Sequence, residues 1–174
     1  MSAEIAAVLA RLELFRGLTA DECQRIAELG RIEYWKEGAL VLEEGAFGPR
    51  MMVVLEGEVE ILRRDGNGVE RAIGRVASGE ALGEMSLLLD LPRTATVRAL
   101  AALKVFAMDR EAFLERIRQS DPAVLKLGYE LSRTLARRLL GLNERVITLL
   151  TENEDMRRRF GEARQEVFEL WDVS

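Results

Sequence analysis

The apolar residues of this chain change their spacing twice, and that change limits the folds open to it. Before Gly30 and after Asp109 they recur at helical intervals. Between Arg31 and Asp109 they come in short runs separated by glycine. In that middle stretch Met51-Met52-Val53-Val54-Leu55 runs into Gly57, and Val59 and Ile61 then alternate with Glu58 and Glu60. Asp65-Gly66-Asn67-Gly68 carries two overlapping hairpin-turn signals, because Asn and Gly tolerate the positive φ of tight turns. Arg71-Ala72-Ile73, Thr94 to Ala99 and Leu103 to Met108 read as further strands. Pro49 and Pro92 fall outside strand centres, as a sheet requires. The pattern indicates an α+β fold: an antiparallel β-roll or jelly roll flanked by helices. It divides into N-terminal helices (1–30), the roll (31–109) and C-terminal helices (110–174).

The flanking segments carry their own punctuation. Ile5, Val8, Leu9 and Leu12 predict a helix over Ala3 to Leu14. Thr19 followed by Glu22 is a capping box, which starts a second helix with Cys23, Ile26, Ala27 and Leu29 on its apolar face and Gly30 as its stop. Cys23 is then a small buried hydrophobe rather than a reactive thiol. Asp109 is placed to cap a helix bearing Phe113, Leu114 and Ile117. Asp121 and Pro122 are an N-cap and a first helical residue. The helix they open is expected to reach about Trp171, roughly 75 Å at 1.5 Å per residue.

That last helix holds a heptad. Leu135, Leu142, Leu149, Met156, Ala163 and Leu170 recur seven apart, interleaved with Leu139, Val146, Asn153, Phe160 and Val167. The second series fits position a and the first position d, so a parallel two-stranded coiled coil is expected, with Asn153 setting its register. Gly141 and Gly161 weaken it at outer positions, each costing about 1 kcal/mol relative to Ala.

Composition narrows the chemistry. The 174 residues include no histidine and one cysteine, against 25 Lys+Arg and 30 Asp+Glu for a net charge of -5. A His-based triad, a His-ligated metal and an intrachain disulfide are excluded. The acidic balance argues against binding nucleic acid or anionic membrane by bulk charge. Met1-Ser2-Ala3-Glu4 lacks the basic start of a signal peptide, and no run approaches a membrane span. The expectation is a cytoplasmic, non-enzymatic protein with no metal or cofactor.

The chemistry concentrates between Gly83 and Val97. Gly83 permits close backbone approach. Glu84 to Leu89 reads as a short helix with free amides at its start. Pro92 closes the loop and brings Arg93 and the hydroxyl of Thr94 to a strand start. Arginine, hydroxyl and amides together suit a phosphate. Glu84 beside them suits a ribose hydroxyl and disfavours a highly charged phosphate.

This stretch resembles the phosphate-binding cassette of the cyclic-nucleotide-binding domain family. Gly83-Glu84 and Pro92-Arg93-Thr94-Ala95 stand at that family's spacing, and Gly38, Gly45, Gly57 and Gly79 fall at its turns. The resemblance spans roughly Leu14 to Leu142. It implies that Glu84 binds the ribose 2′-hydroxyl and Arg93 the exocyclic phosphate oxygens, with Gly83, Thr94 and the amides of Met85, Ser86 and Ala95 completing the cradle. Leu82 stands where an aromatic is common and Ser86 where Ala is common. In cyclic-AMP receptor relatives the long helix dimerises and meets the purine, which implies a base contact from Asn143. Cyclic AMP is the first expectation for the ligand and cyclic GMP the second. After Asn143 the sequence continues the heptad without a second helix pair or wing strands, so no DNA-reading domain is expected. Arg157-Arg158-Arg159 reads as a solvated face offset by Glu152, Glu154 and Asp155. The expected function is a stand-alone sensor that signals to an unknown protein partner through a homodimeric helix. A receptor-type transcription regulator lacking its own DNA-binding domain and a non-binding dimerisation scaffold remain the alternatives.

Overall fold

A computed structural model describes residues 2–89 and 91–153. In chain order these form α1 (Ser2–Leu9), a 3-10 turn (Glu13–Phe15), α2 (Ala20–Ala27), β1 (Gly30–Trp35), β2 (Leu40–Leu42), β3 (Arg50–Glu56), β4 (Glu58–Arg64), β5 (Glu70–Ala77), β6 (Ala81–Leu82), α3 (Glu84–Leu88), β7 (Thr96–Ala99), β8 (Leu103–Asp109), α4 (Arg110–Arg118) and α5 (Pro122–Glu152). The strands make two four-stranded antiparallel sheets, ordered β1-β8-β3-β6 and β2-β7-β4-β5. The expected roll between helices is therefore observed.

β3 explains why five consecutive apolar residues read as one strand. Met51, Val53 and Leu55 enter a core shared with the helices, whereas Met52 and Val54 enter a second core between the sheets. A strand buried on both faces has no polar alternation to show. The hairpin from β4 to β5 turns where expected. The Asp65 carboxylate accepts the amides of Asn67 and Val69 at 2.9 and 3.1 Å.

The helical expectations held in kind and differed at their ends. α1 stops at Leu9 rather than Leu14. Continuing the helix would carry Phe15 off the face of Ile5 and Leu9, whereas the 3-10 turn buries both Leu14 and Phe15. α2 has its capping box, with Thr19 Oγ1 accepting from the Glu22 amide and Glu22 from the Thr19 amide. Cys23 and Ile26 are fully buried, and burial pushes the Cys23 thiol pKa up. Gly30 does not stop α2 but opens β1. A Cβ there would meet the Ala107 carbonyl and come within 2.6 Å of the Phe106 ring. Asp109 occupies the N-cap position of α4, yet its side chain makes no cap bond. It turns instead to Arg31 and Arg50, at 3.7 and 3.9 Å. Asp121 does cap α5, accepting the Ala123 amide at 2.9 Å.

The chain divides into two compact units between Leu131 and Ser132. In the first, α1, α2, α4 and the start of α5 share one core with β3 and β8; Phe113, Ala123, Leu127 and Leu131 belong to it. In the second, the described part of α5 leaves Leu139, Leu142 and Leu149 of the heptad more than half exposed. Its continuation from Met156 to Trp171, and Arg157 to Arg159, lie outside the described residues. No helix among the described residues is long and apolar enough to cross a membrane.

Glu22 gives the first unit a pH signature. Lys126 Nζ, 2.9 Å away, and the Thr19 amide hold its carboxyl below the ordinary carboxylate value of 4.5. Its contribution is full above that value and is lost as pH falls through the lower folded-state pKa. Glu22→Gln should therefore flatten the fall in melting temperature between about pH 5 and pH 3. An unchanged slope in thermal melts would contradict this account of Glu22.

Candidate functional site

The site forms where α3, the segment after it and the loop from β2 to β3 meet. Gly83 has φ 70° and caps α3. An added Cβ there would strike Arg93 Nη1 and lie 3.0 Å from the Arg50 carbonyl. Glycine at this position thus makes room for the arginine. Glu84 and Ser86 follow on α3, both buried. Met85 is half-buried, Thr94 exposed and Ala95 half-buried.

Arg93 is 6% exposed, unusually buried for an arginine. Its backbone is pinned by the β2–β3 loop: its amide donates to Ala46 O, and its carbonyl accepts from the Gly45 amide, both at 2.9 Å. Its guanidinium donates to the Gly83 and Arg50 carbonyls at 3.3 and 2.6 Å. Gly48 lets the loop approach, since a Cβ there would lie 3.2 Å from Arg93 Nε and Nη2. Among the described residues no carboxylate lies within ion-pair distance of it. Burial lowers its pKa most, Arg50 lowers it further, and Glu84 opposes both. A buried guanidinium with neutral partners has unused capacity for an anion.

The structure thus gathers Gly83, Glu84, Met85, Ser86 and Arg93 around one loop cluster, with Thr94 and Ala95 leading into β7. Thr96, not Thr94, is the buried hydroxyl of that strand end, and it accepts the Glu44 amide at 3.0 Å. Asn143 is exposed on the part of α5 that belongs to the second unit. Arg71 and Arg98 pair with Asp65 and Glu70, as surface charges do. Sequence reasoning missed Arg50, whose carbonyl holds Arg93 and whose guanidinium pairs with Glu33 at 2.7 Å. Only the register that joins β1, β3 and β8 brings them together.

Two cavities bear on ligand placement. One of about 220 Å³ lies beside the cassette, lined by Phe47, Gly48, Pro49, Ser86, Leu91 and Arg110. A larger one of about 570 Å³ lies between α1 and β1, lined by Ile5, Val8, Ile32 and Tyr34 among others. The larger cavity shares no residue with the cassette, and its size alone does not supply a buried cation.

Comparison with known proteins places these features in a wider group. The family model for the cyclic nucleotide-binding domain matches residues 32–120. A cGMP-dependent protein kinase of Plasmodium berghei is 28% identical over 166 residues, covering 88% of this chain and 18% of the kinase. A cAMP-dependent protein kinase regulatory subunit of Mucor circinelloides is 31% identical over 105 residues, covering 60% of this chain and 24% of that protein. The chain thus spans less than a quarter of the length of either relative. A solved cyclic nucleotide-binding domain from Methylobacillus flagellatus superposes with a TM-score of 0.74 at 22% identity, covering 84% of this chain and 83% of that one. At that identity the likeness is one of fold. The catabolite activator protein of Thermus thermophilus gives a TM-score of 0.69 at 29% identity, covering 78% of this chain and 62% of its own.

Proposed function

Because this chain belongs to the cyclic nucleotide-binding domain family, we propose that it is a cyclic-nucleotide sensor, regulatory rather than enzymatic. The observation that carries this reading is Arg93: a buried cation whose described partners are two carbonyls, set beside Glu84 on a glycine that makes room for it. In this reading Arg93 takes the exocyclic phosphate oxygens. Gly83, Thr94 and the amides of Met85, Ser86 and Ala95 complete the cradle, and Glu84 accepts the ribose 2′-hydroxyl. Asn143 supplies a base contact. Cyclic AMP is the first choice of ligand and cyclic GMP the second.

The roll (31–109) binds, and the C-terminal helices (110–174) report. Ligand shifts the equilibrium between two arrangements only by its differential affinity for them. The exposed leucines of α5 support a parallel homodimer, and a protein partner reads the dimer in the cytoplasm. Leu142→Asp should then convert a dimer to a monomer in light scattering, because it places a charge in an apolar seam. A chain that stays as dimeric as the wild type would remove the seam.

The sensor reading is tested by thermal melts with cyclic AMP, cyclic GMP and 5′-AMP. A ligand at about 100 times its Kd stabilises the chain by about 2.7 kcal/mol. A shift with a cyclic nucleotide and none with 5′-AMP is expected. No shift with either cyclic nucleotide would favour the scaffold.

A further inference from the structure

A second arginine, Arg50, lies outside the cassette and touches Arg93 through its carbonyl. On β3, Met52 and Val54 point into the space between the sheets, and Arg50 shares their face by the strand's two-residue alternation. Glu33 Oε1 lies 2.7 Å from Arg50 Nη1, and Asp109 Oδ1 lies 3.9 Å from Arg50 Nε. Asp109 is also the residue opposite Arg50 in the β3–β8 register. Arg31 closes the cluster, 2.9 Å from Glu33 and 3.7 Å from Asp109. The carbonyl of Arg50 meanwhile accepts Arg93 Nη2 at 2.6 Å. Two arginines therefore meet at one backbone position. One is held by carboxylates and the other by carbonyls.

We infer that Arg50 is a second cation of the phosphate pocket, and that Glu33 and Asp109 set how much of its charge an incoming anion meets. The inference rests on the nucleotide-binding reading. A phosphate approaching Arg93 is attracted by Arg50 and repelled by the two carboxylates that restrain it. Neutralising either carboxylate leaves surplus positive charge, and neutralising Arg50 leaves a deficit. The cluster explains why Asp109 leaves the α4 N-terminus uncapped: its carboxylate is committed to the two arginines.

The test separates this role from a structural one by sign. Cyclic AMP is titrated calorimetrically into the full chain as wild type, R50Q, R50K, E33Q and D109N, at low and high salt. R50Q should weaken binding about tenfold, and E33Q and D109N should each tighten it about threefold, these being the effects of one unit charge across a partly solvated gap. R50K should stay near wild type. All differences should shrink at high salt, as the Debye length shortens. The Asp109 side chain makes no cap bond, so D109N removes none from α4. Should R50Q fail to fold, E33Q and D109N still decide, because lost stability does not tighten binding. Unchanged affinity in R50Q, or weaker binding in E33Q and D109N, overturns the inference. A wild type that binds no cyclic nucleotide overturns it together with the sensor reading. A wild type that binds, and loses binding on Arg93→Ala but not on R50Q, overturns the role of Arg50 alone.

Discussion

Arg93→Ala is expected to weaken cyclic-nucleotide binding by about 2–5 kcal/mol, the cost of leaving a buried charge unpaired. That is roughly thirty- to several-thousand-fold in Kd. The size follows from the site. Arg93 is 6% exposed and donates to the Gly83 and Arg50 carbonyls. Those carbonyls hold the guanidinium in place without neutralising it. A phosphate would be the charged partner, bound by the fork geometry that only arginine offers. Arg93→Lys keeps the charge and loses the fork, so it should recover part of the affinity. Unchanged affinity in Arg93→Ala would remove the phosphate assignment.

Gly83→Ala is expected to reduce both stability and binding. A non-glycine residue at φ 70° costs about 1–2 kcal/mol. The added Cβ also meets Arg93 Nη1 and the Arg50 carbonyl, so the arginine must leave its place. Affinity should fall at least about tenfold, since a hydrogen bond to a charged group contributes about 1.5–3 kcal/mol. Gly38→Ala is the control: Gly38 has φ 77° and open space around it. It should lower the urea midpoint and leave affinity alone. Gly48→Ala, with a milder 3.2 Å approach to Arg93, should fall between the two in affinity. If Gly83→Ala and Gly38→Ala lower affinity equally, the glycine does not act through Arg93.

Much of this was legible in the sequence because it is local. The capping box at Thr19, the cap at Asp121, the hairpin at Asp65 and the cassette from Gly83 to Ala95 each lie within a few residues. The first three follow from residue type and spacing; the cassette was read by resemblance, and its arginine is held by the distant Arg50 carbonyl and the β2–β3 loop. What stayed hidden depends on pairings across the sheet. Arg50, Glu33 and Asp109 belong to three strands and meet only through register. Asp109 looked like a cap because nothing local says that two arginines compete for it. Gly30 looked like a helix stop because the Phe106 ring pressing on it lies far along the chain. The end of α1 was misjudged for a similar reason: burying both Leu14 and Phe15 overrides helical periodicity. The heptad was legible as a pattern; Leu139, Leu142 and Leu149 are exposed, and so are Leu140 and Ile147 outside it.

The proposed binding of a cyclic nucleotide at Arg93 turns on one comparison. Calorimetric titration of the wild-type chain and Arg93→Ala with cyclic AMP and cyclic GMP tests it most directly. One nucleotide per chain is expected, tighter for cyclic AMP, with the heat lost or the affinity greatly weakened in Arg93→Ala. Absence of heat from both nucleotides in the wild type, or equal binding by the two proteins, would contradict it.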